Sequence, residues 1–177
     1  MPQEQSDFSR MAVGMLETAH RTLLMATAGL NDEQLFHQPS PEGNSIAWLA
    51  WHLSRWKDRF GSMVSGEPQV WVSEGWAERF GIEQERTGLG DTLEQVATFL
   101  AERTLLFGYV DAAQQATLRR VSAFTPEEWE QPFRYMPTAE PRPTWLAFIG
   151  TAMDFTQHSG QIAYLRGLLT GKGWLPA

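Results

Sequence analysis

The residues of this chain best suited to chemistry lie four positions apart in its C-terminal part. In the segment Asp154-Phe-Thr-Gln-His158, one turn of helix places a carboxylate and an imidazole side by side on the same face. Two such groups can grip one ion, although two ligands alone do not define a site. Asp154 also falls in an otherwise apolar helix, where a carboxylate is costly to bury unless a cation or hydrogen bonds compensate it. The pair therefore indicates part of a metal site.

A third candidate ligand, His52, lies far earlier in the chain. It stands between Leu49 and Trp56 on or beside an apolar stripe, so a bundle that packs the two helices together would bring it to Asp154 and His158. Imidazole and carboxylate ligands suit zinc, nickel, iron or manganese, and three protein ligands leave coordination positions open, as a catalytic metal requires. We therefore predict a metal site of His52, Asp154 and His158.

Three other polar side chains bear on this site. His20 lies among leucines at helical spacing and could approach the core as a fourth ligand, but nothing pairs with it locally. His37 lies in a proline-rich turn, where a solvated or turn-stabilising role is the ordinary expectation. Gln161 could orient His52 or His158, because metal-bound imidazoles usually hydrogen-bond through their other nitrogen. A plain interhelical hydrogen bond is the equal alternative for Gln161.

The domain that must position these residues follows from length and composition. The chain has 177 residues, of which 42% are hydrophobic and 20% charged, and it contains eight Trp and ten Phe. This is too much burial-seeking surface for a disordered chain, and the length suits one ordinary core. We predict a single domain over residues 1–177.

Charge and cysteine content narrow the classes of function. With 21 acidic and 14 basic residues the net charge is -7, and no local Lys/Arg cluster offsets it, so we predict no nucleic-acid partner. The chain has no cysteine, which removes disulfides, thiolate ligands and a protein thiol nucleophile. Any nucleophilic sulfur would have to arrive on a small molecule.

Membrane and export signals are weak in the sequence. No apolar run approaches the ~20 residues of a transmembrane helix, and the start MPQEQSDFSR lacks the basic and apolar regions of a signal peptide. We therefore predict no membrane partner and a cytoplasmic location.

Apolar residues at three- and four-residue steps predict four long helices. Their predicted bounds are Asp7 to about Leu30, Asn44 or Ser45 to Gly66, a helix capped by Asp91 that runs about eight turns to Val121, and Thr144 to Thr170. A short capped turn is predicted at 31–35, before the second long helix.

The connections between the long helices are not all tight. Residues 67–90 form a predicted crossover, with a short extended piece at 69–72, a helical turn within 74–80 and a loop at 86–90. After a capping signature at 125–128, four prolines prevent another long helix before Thr144. The predicted fold class is all-α, a four-helix bundle with crossover connections, whose core can host a metal.

Five tryptophans lie in the second helix and the crossover: Trp48, Trp51, Trp56, Trp71 and Trp76. They could wall a substrate pocket, but aromatic residues at helical spacing are more often part of a core or an interface, and we favour packing. Trp- and Phe-rich helix faces also make a homodimer reasonable.

Two His-centred segments resemble those of the DinB-like proteins. They are Ser45-Ile-Ala-Trp-Leu-Ala-Trp-His52-Leu and His158-Ser-Gly-Gln161-Ile. The resemblance covers nearly the whole chain and includes the opening helix, the Leu-Asn-Asp-Glu-Gln-Leu turn and the long fourth helix. It implies a four-helix bundle that holds a divalent metal through one residue of the second helix and an H-x-x-x-H pair on the fourth.

Carried onto this chain, the family pattern gives His52, Asp154 and His158 as ligands, with Asp154 departing from the usual His. Relatives similar to the mycothiol-dependent maleylpyruvate isomerase branch also carry a carboxylate there, typically Glu, so the resemblance implies that Asp154 keeps a ligand role. Characterised members of the wider group are similar to S-transferases or isomerases that activate a low-molecular-weight thiol on the metal. For this ligand set we predict zinc or nickel first, with iron or manganese as alternatives. The resemblance implies a low-molecular-weight thiol and an electrophile as substrates.

Two other functions fit the same residues. In the first, the bundle is non-catalytic and binds a small ligand or protein partner, and Asp154 and His158 only hydrogen-bond to each other. In the second, the protein is a metal-assisted hydrolase whose nucleophile is water rather than a thiol. Metal content separates the first from the leading hypothesis, and a thiol requirement separates the second.

Overall fold

The computed structural model describes residues 6–135 and 138–173. In chain order the elements are α1 (Asp7–Thr27), α2 (Asp32–Phe36), α3 (Ile46–Ser65), α4 (Val70–Ser73), α5 (Trp76–Phe80), α6 (Leu93–Ala97), α7 (Arg103–Ser122), α8 (Pro126–Glu130), β1 (Pro132–Phe133), β2 (Arg142–Pro143) and α9 (Thr144–Thr170). The predicted all-α class is confirmed, because the two-residue strands form the one small antiparallel pair among the described residues.

The four long helices, α1, α3, α7 and α9, form the bundle. Helix α3 packs against α7 and α9, and α1 packs against the same two helices. Around the bundle the order is therefore α1, α9, α3, α7, with α1 diagonal to α3. The predicted neighbourhood of the second and fourth long helices is confirmed, and it places His52 on α3 beside α9.

Local end signals explain where these helices begin and end. Ser45 caps α3 by accepting a hydrogen bond from the Trp48 amide, as serine N-caps do, and Gly66 ends the helix in the left-handed conformation. Helix α2 begins with a capping box between Asn31 and Gln34. The predicted starts and ends of the second and fourth long helices and the short turn at 31–35 are confirmed.

The prediction of one continuous third helix from Asp91 is wrong. Thr92, not Asp91, caps the five-residue α6, and the next long helix starts only at Arg103. The Asp91 carboxylate is occupied by Arg86 and Trp48, so it cannot cap. Leu93 and Leu100, which would lie on the apolar face of that predicted helix, are exposed.

The crossover between α3 and α7 also differs in part from the prediction. The expected extended piece at 69–72 is instead the helical turn α4. The cause lies in Asp58 of α3, whose buried carboxylate accepts hydrogen bonds from the amides of Val70 (3.0 Å) and Trp71 (2.8 Å) and so caps the turn. The helical turn within 74–80 and the loop at 86–90 are confirmed.

The crossover is tied to the bundle by buried arginines. The Arg55 guanidinium is fully buried, lies 4.5 Å from the centroid of the Trp71 ring and donates to the carbonyls of Arg86 (3.1 Å) and Gln84 (2.8 Å). Arg120 of α7 donates to the carboxylates of Asp58 and Glu67. Charged groups so buried are stable only when paired, so these contacts determine the path of the crossover.

No helix in the described ranges is both long enough and apolar enough to cross a membrane.

Candidate metal centre

His52, Asp154 and His158 converge between α3 and α9. One ligand atom from each lies within 4.8 Å of the others. His158 Nε2 lies 3.3 Å from Asp154 Oδ1, and the two imidazole rings meet edge to face with centroids 5.1 Å apart. The bundle thus brings together all three residues that the sequence predicted as ligands.

The His52 ring is held from two sides. Its Nδ1 lies 2.6 Å from the carbonyl oxygen of Thr87. A carbonyl can only accept, so Nδ1 carries the proton and donates a hydrogen bond to that oxygen. The Trp48 ring stacks on the imidazole, with centroids 4.6 Å apart and an interplanar angle of 11°. In this tautomer Nε2 is left with its lone pair, which is the state a metal ligand requires.

The segment 84–91, here called the strap, supplies the Thr87 carbonyl. Within it Arg86 and Asp91 form a bidentate ion pair at 2.9 and 2.7 Å, and Trp48 Nε1 donates to Asp91 Oδ2 at 3.0 Å. Burial alone would raise the pKa of Asp91, but these hydrogen bonds outweigh it and leave the pKa lowered. The same carboxylate therefore closes the strap and anchors the ring that stacks on His52.

Gly88 allows the strap to approach the ring this closely. Its φ is +89°, a region that side chains rarely adopt, and an added Cβ would lie 2.5 Å from His52 Nδ1 and 2.8 Å from Trp48 Cζ2. Only glycine meets both requirements at this position.

His158 is held within its own helix. Its Nδ1 lies 2.8 Å from Gln161 Oε1, and its Nε2 faces the Asp154 carboxylate. A neutral imidazole can donate from one nitrogen only. Both oxygens are therefore satisfied either when His158 is protonated or when a metal cation occupies the space at Nε2. The hydrogen bond with Asp154 accordingly raises the pKa of His158, although burial opposes it.

The pKa values of the two histidines shift in opposite directions, down for His52 and up for His158. Burial is the main cause that lowers the pKa of His52, while the Thr87 hydrogen bond opposes it. His52 is 7% exposed, whereas the Asp154 side chain is 43% exposed. The site therefore has an inner neutral ligand and an outer anionic one.

The donor set fits a divalent ion. Both imidazoles use Nδ1 for a hydrogen bond to oxygen and leave Nε2 for the ion, which is the usual arrangement of metal-bound histidines. Asp154 adds one oxygen and one negative charge. Two nitrogens and one oxygen suit zinc, nickel, iron and manganese, and leave positions for an exogenous ligand.

A cavity of about 290 Å³ opens beside His52 and Asp154. It is lined by His52, Trp56, Leu89, Tyr135, Gly150, Thr151 and Asp154. Leu89 belongs to the strap, so the crossover helps to shape the pocket. Burial, followed by the Asp154 charge, raises the pKa of Tyr135, so its phenol stays protonated.

The remaining histidines lie away from the centre. His20 Nε2 lies 3.3 Å from Asp111 of α7, and burial first of all lowers the pKa of His20 to about 4. His37 is exposed at the end of α2. Neither belongs to the convergent group, whereas Gln161 makes the hydrogen bond to His158 that the sequence suggested.

Packing accounts for most of the five tryptophans, as predicted. Trp48, Trp51, Trp71 and Trp76 are buried in the core, and Trp56 is the one of the five that lines the cavity.

Sequence reasoning missed Thr87, Gly88 and Tyr135. Thr87 acts through its backbone carbonyl, which no side-chain pattern reveals. Gly88 and Gly90 fall in the predicted loop at 86–90. The pattern Gly-Leu-Gly is the sequence signal that could have indicated a close approach of the backbone there. Tyr135 lies in a proline-rich connection whose path depends on tertiary contacts.

A family model described as the DinB superfamily matches residues 15–161. A crystal structure of a conserved protein from Enterococcus faecalis is also similar, with a TM-score of 0.82 and 26% sequence identity. The similarity covers 93% of this chain and 98% of that chain. No curated protein matches the chain.

Proposed function

The chain belongs to the DinB superfamily, and from this premise we propose that it is a divalent-metal protein that catalyses thiol-dependent S-transfer or isomerisation on a small electrophile. The observation that carries the proposal is the state of the two imidazoles. His52 and His158 each engage Nδ1 with an oxygen acceptor, on Thr87 and Gln161. His158 Nε2 lies 3.3 Å from Asp154 Oδ1, and one ligand atom of His52 lies within 4.8 Å of those of the other two residues. If Asp154 and His158 formed only a structural pair on α9, there would be no need for a second histidine, His52, whose Nδ1 is also hydrogen-bonded to an oxygen.

His52, Asp154 and His158 would hold the ion, which we expect to be zinc or nickel, with iron or manganese as alternatives. When bound, such an ion supplies positive charge that lowers the pKa of a thiol or water in an open coordination position. The strap and Trp48 keep the His52 ring in one orientation. Asp154 would balance part of the positive charge, and its side chain also lines the cavity.

The sulfur nucleophile would come from a low-molecular-weight thiol, because the chain contains no cysteine. In the transfer reaction the thiol loses its proton to solvent and the sulfur forms a bond to the electrophilic carbon. The bond from that carbon to its leaving group breaks, and the leaving group departs with the electron pair. The cavity of about 290 Å³ beside Asp154 has room for a small electrophile next to the ligands.

Metal content tests the first half of the proposal. Elemental analysis of protein purified without chelator should give about one divalent ion per chain, and removing the ion should lower the melting temperature by mass action. Equal melting temperatures with metal and with chelator, together with an empty elemental analysis, would contradict it.

Thiol dependence tests the second half. The metal-loaded protein should consume a model electrophile, such as monochlorobimane, only when a low-molecular-weight thiol is supplied, and the rate should exceed that of the thiol alone. A turnover that needs the metal but not the thiol would instead identify water as the nucleophile, as in a hydrolase.

A further inference from the structure

The walls of the cavity beside the candidate centre are uncharged and largely apolar. Beyond the two ligands His52 and Asp154, the described lining residues are Trp56, Leu89, Tyr135, Gly150 and Thr151. Of all the described lining residues, the two candidate ligands included, Asp154 is the one that carries a charge, and that charge is negative.

The polar groups of the wall are largely engaged or neutral. The Thr151 hydroxyl donates to the carbonyl of Ala147, one turn back on α9, at 3.1 Å. Trp56 and Tyr135 meet edge to face with centroids 6.2 Å apart, so two aromatic rings form adjoining walls. Gly150 adds no side chain to the α9 side.

Arg59 lies next to this wall, but its guanidinium contacts Trp56 and Glu85. Its guanidinium lies 5.8 Å from the centroid of the Trp56 ring, and its Nη1 lies 3.7 Å from the Glu85 carboxylate. Arg59 is not among the lining residues. Among the described lining residues a negative group would meet no positively charged side chain, and it would face the Asp154 carboxylate.

Leu89 is an exposed apolar side chain among the residues that line the cavity. Its side chain is 70% exposed although it is a large apolar group, and it lies between Gly88 and Gly90, which both have positive φ. Burying apolar surface is the main source of affinity in small-molecule sites. An apolar ligand that covers Leu89 removes its exposed apolar surface from water. This burial stabilises the complex of the protein with the ligand.

We infer that this cavity binds an uncharged, apolar substrate group, aromatic or branched aliphatic, and that Leu89 contacts it and helps to select it against anionic groups. The inference rests on the proposed function, since it takes this cavity as the place of the electrophile. It goes further by stating which class of electrophile fits.

Two matched probes test the inference: benzyl alcohol, which is neutral, and benzenesulfonate, which carries one negative charge on the same ring. Binding is followed through the backbone amide shifts of residues 89, 150 and 151, in zinc-loaded and in metal-free protein. In the metal-free protein we expect benzyl alcohol to bind about tenfold or more tightly than benzenesulfonate, because a charge without a partner is costly to bury. Equal affinities, or tighter binding of the sulfonate to the metal-free protein, would overturn the inference.

Leu89→Lys supplies the matched variant, and Leu100→Lys its control, because both leucines are 70% exposed and Leu100 does not line the cavity. Lysine at 89 should weaken benzyl alcohol binding and strengthen benzenesulfonate binding several-fold, while lysine at 100 should leave both unchanged. The same response in both variants would show a general charge effect and would contradict a role for Leu89.

The outcomes also separate this inference from the proposed function. If zinc does not bind but benzyl alcohol keeps its preference and its dependence on Leu89, the proposed metal function fails and the apolar site stands. If zinc binds to the three ligands and the preference is absent, the substrate class alone is wrong.

Discussion

The two halves of the candidate metal centre are built in different ways. His52 is buried, stacked on Trp48 and hydrogen-bonded to a backbone carbonyl of the strap. Asp154 and His158 share a single helix, are more exposed, and depend on each other and on the Gln161 side chain. Two elements of the fold, α3 and the strap, hold the first half, whereas one turn of helix holds the second.

This difference indicates what each half contributes. A backbone carbonyl and a stacked ring leave His52 few alternatives, so its nitrogen is placed before any ion arrives. Exposed side chains on one helix can change rotamer at little cost, so Asp154 and His158 can adjust to the ion. We expect the inner half to govern affinity through rigidity and the outer half to govern which ion is preferred.

The largest effect should come from removing either imidazole. His52→Ala and His158→Ala should each abolish most metal binding in competition titrations, while His37→Ala should leave it unchanged. The comparison predicts a second difference in the metal-free proteins. His52→Ala should cost about 1–3 kcal/mol of unfolding free energy because it leaves the Thr87 carbonyl unpaired and opens packing, whereas His158→Ala should cost little. Equal losses of stability would show that the inner half is no more built into the fold than the outer one.

Gly88→Ala should have the next largest effect. The added Cβ would displace the His52 ring and the Trp48 ring, and we expect metal affinity to fall about 10- to 100-fold, as for other losses of support around a ligand. Gly90→Ala is the control, because Gly90 also has positive φ (+80°) but nothing lies within 4 Å of its added Cβ. It should lose about 1–2 kcal/mol of stability through backbone strain alone and keep its metal affinity. Equal affinities in the two variants would mean that the strap does not position His52.

Asp154→His should change preference more than affinity. The variant exchanges an anionic oxygen for a neutral nitrogen on the same helical face, so binding should persist and shift toward zinc or nickel over manganese. Asp154→Ala removes the ligand without replacement and should weaken binding of every ion. Competition titrations of the three proteins with zinc, nickel and manganese measure this, and identical preferences throughout would show that Asp154 is not a ligand.

The smallest effect is expected from Gln161→Leu. The variant removes the acceptor for His158 Nδ1 but keeps most of the side-chain volume, so metal affinity should fall by about tenfold at most. Isothermal titration with zinc measures this affinity. A loss larger than that of Gly88→Ala would show that support of the α9 ligands matters more for metal affinity than support of His52.

The sequence was sufficient for the parts of the site that reside within single helices. The step from Asp154 to His158 is a property of the helix, and His52 could be joined to them because its apolar stripe required α3 to pack inward. The end signals Ser45 and Gly66 were also legible, because caps act over a few residues.

The parts that sequence reasoning missed depend on tertiary contacts. Asp91 resembles a helix cap in sequence, but Arg86 and Trp48 take its carboxylate. The path of the strap follows from buried Arg55, whose partners are backbone carbonyls at 84 and 86. A pairing between a side chain and a distant carbonyl has no periodicity, so no pattern along the chain predicts it.

The placement of the ligands on α3 and α9 has a consequence for biosynthesis. Helix α9 leaves the ribosome after α3, the crossover and α7, and a nascent chain can therefore hold His52 for some time without its two partners. The Asp154–His158 turn alone offers two ligands, which is too few to retain an ion against cellular chelators. Metal loading would then be the last event in maturation, after the bundle has closed. The ion that the protein carries would reflect the metal pool that the finished fold meets, and expression in media of defined metal content should change the ion without changing the yield of folded protein.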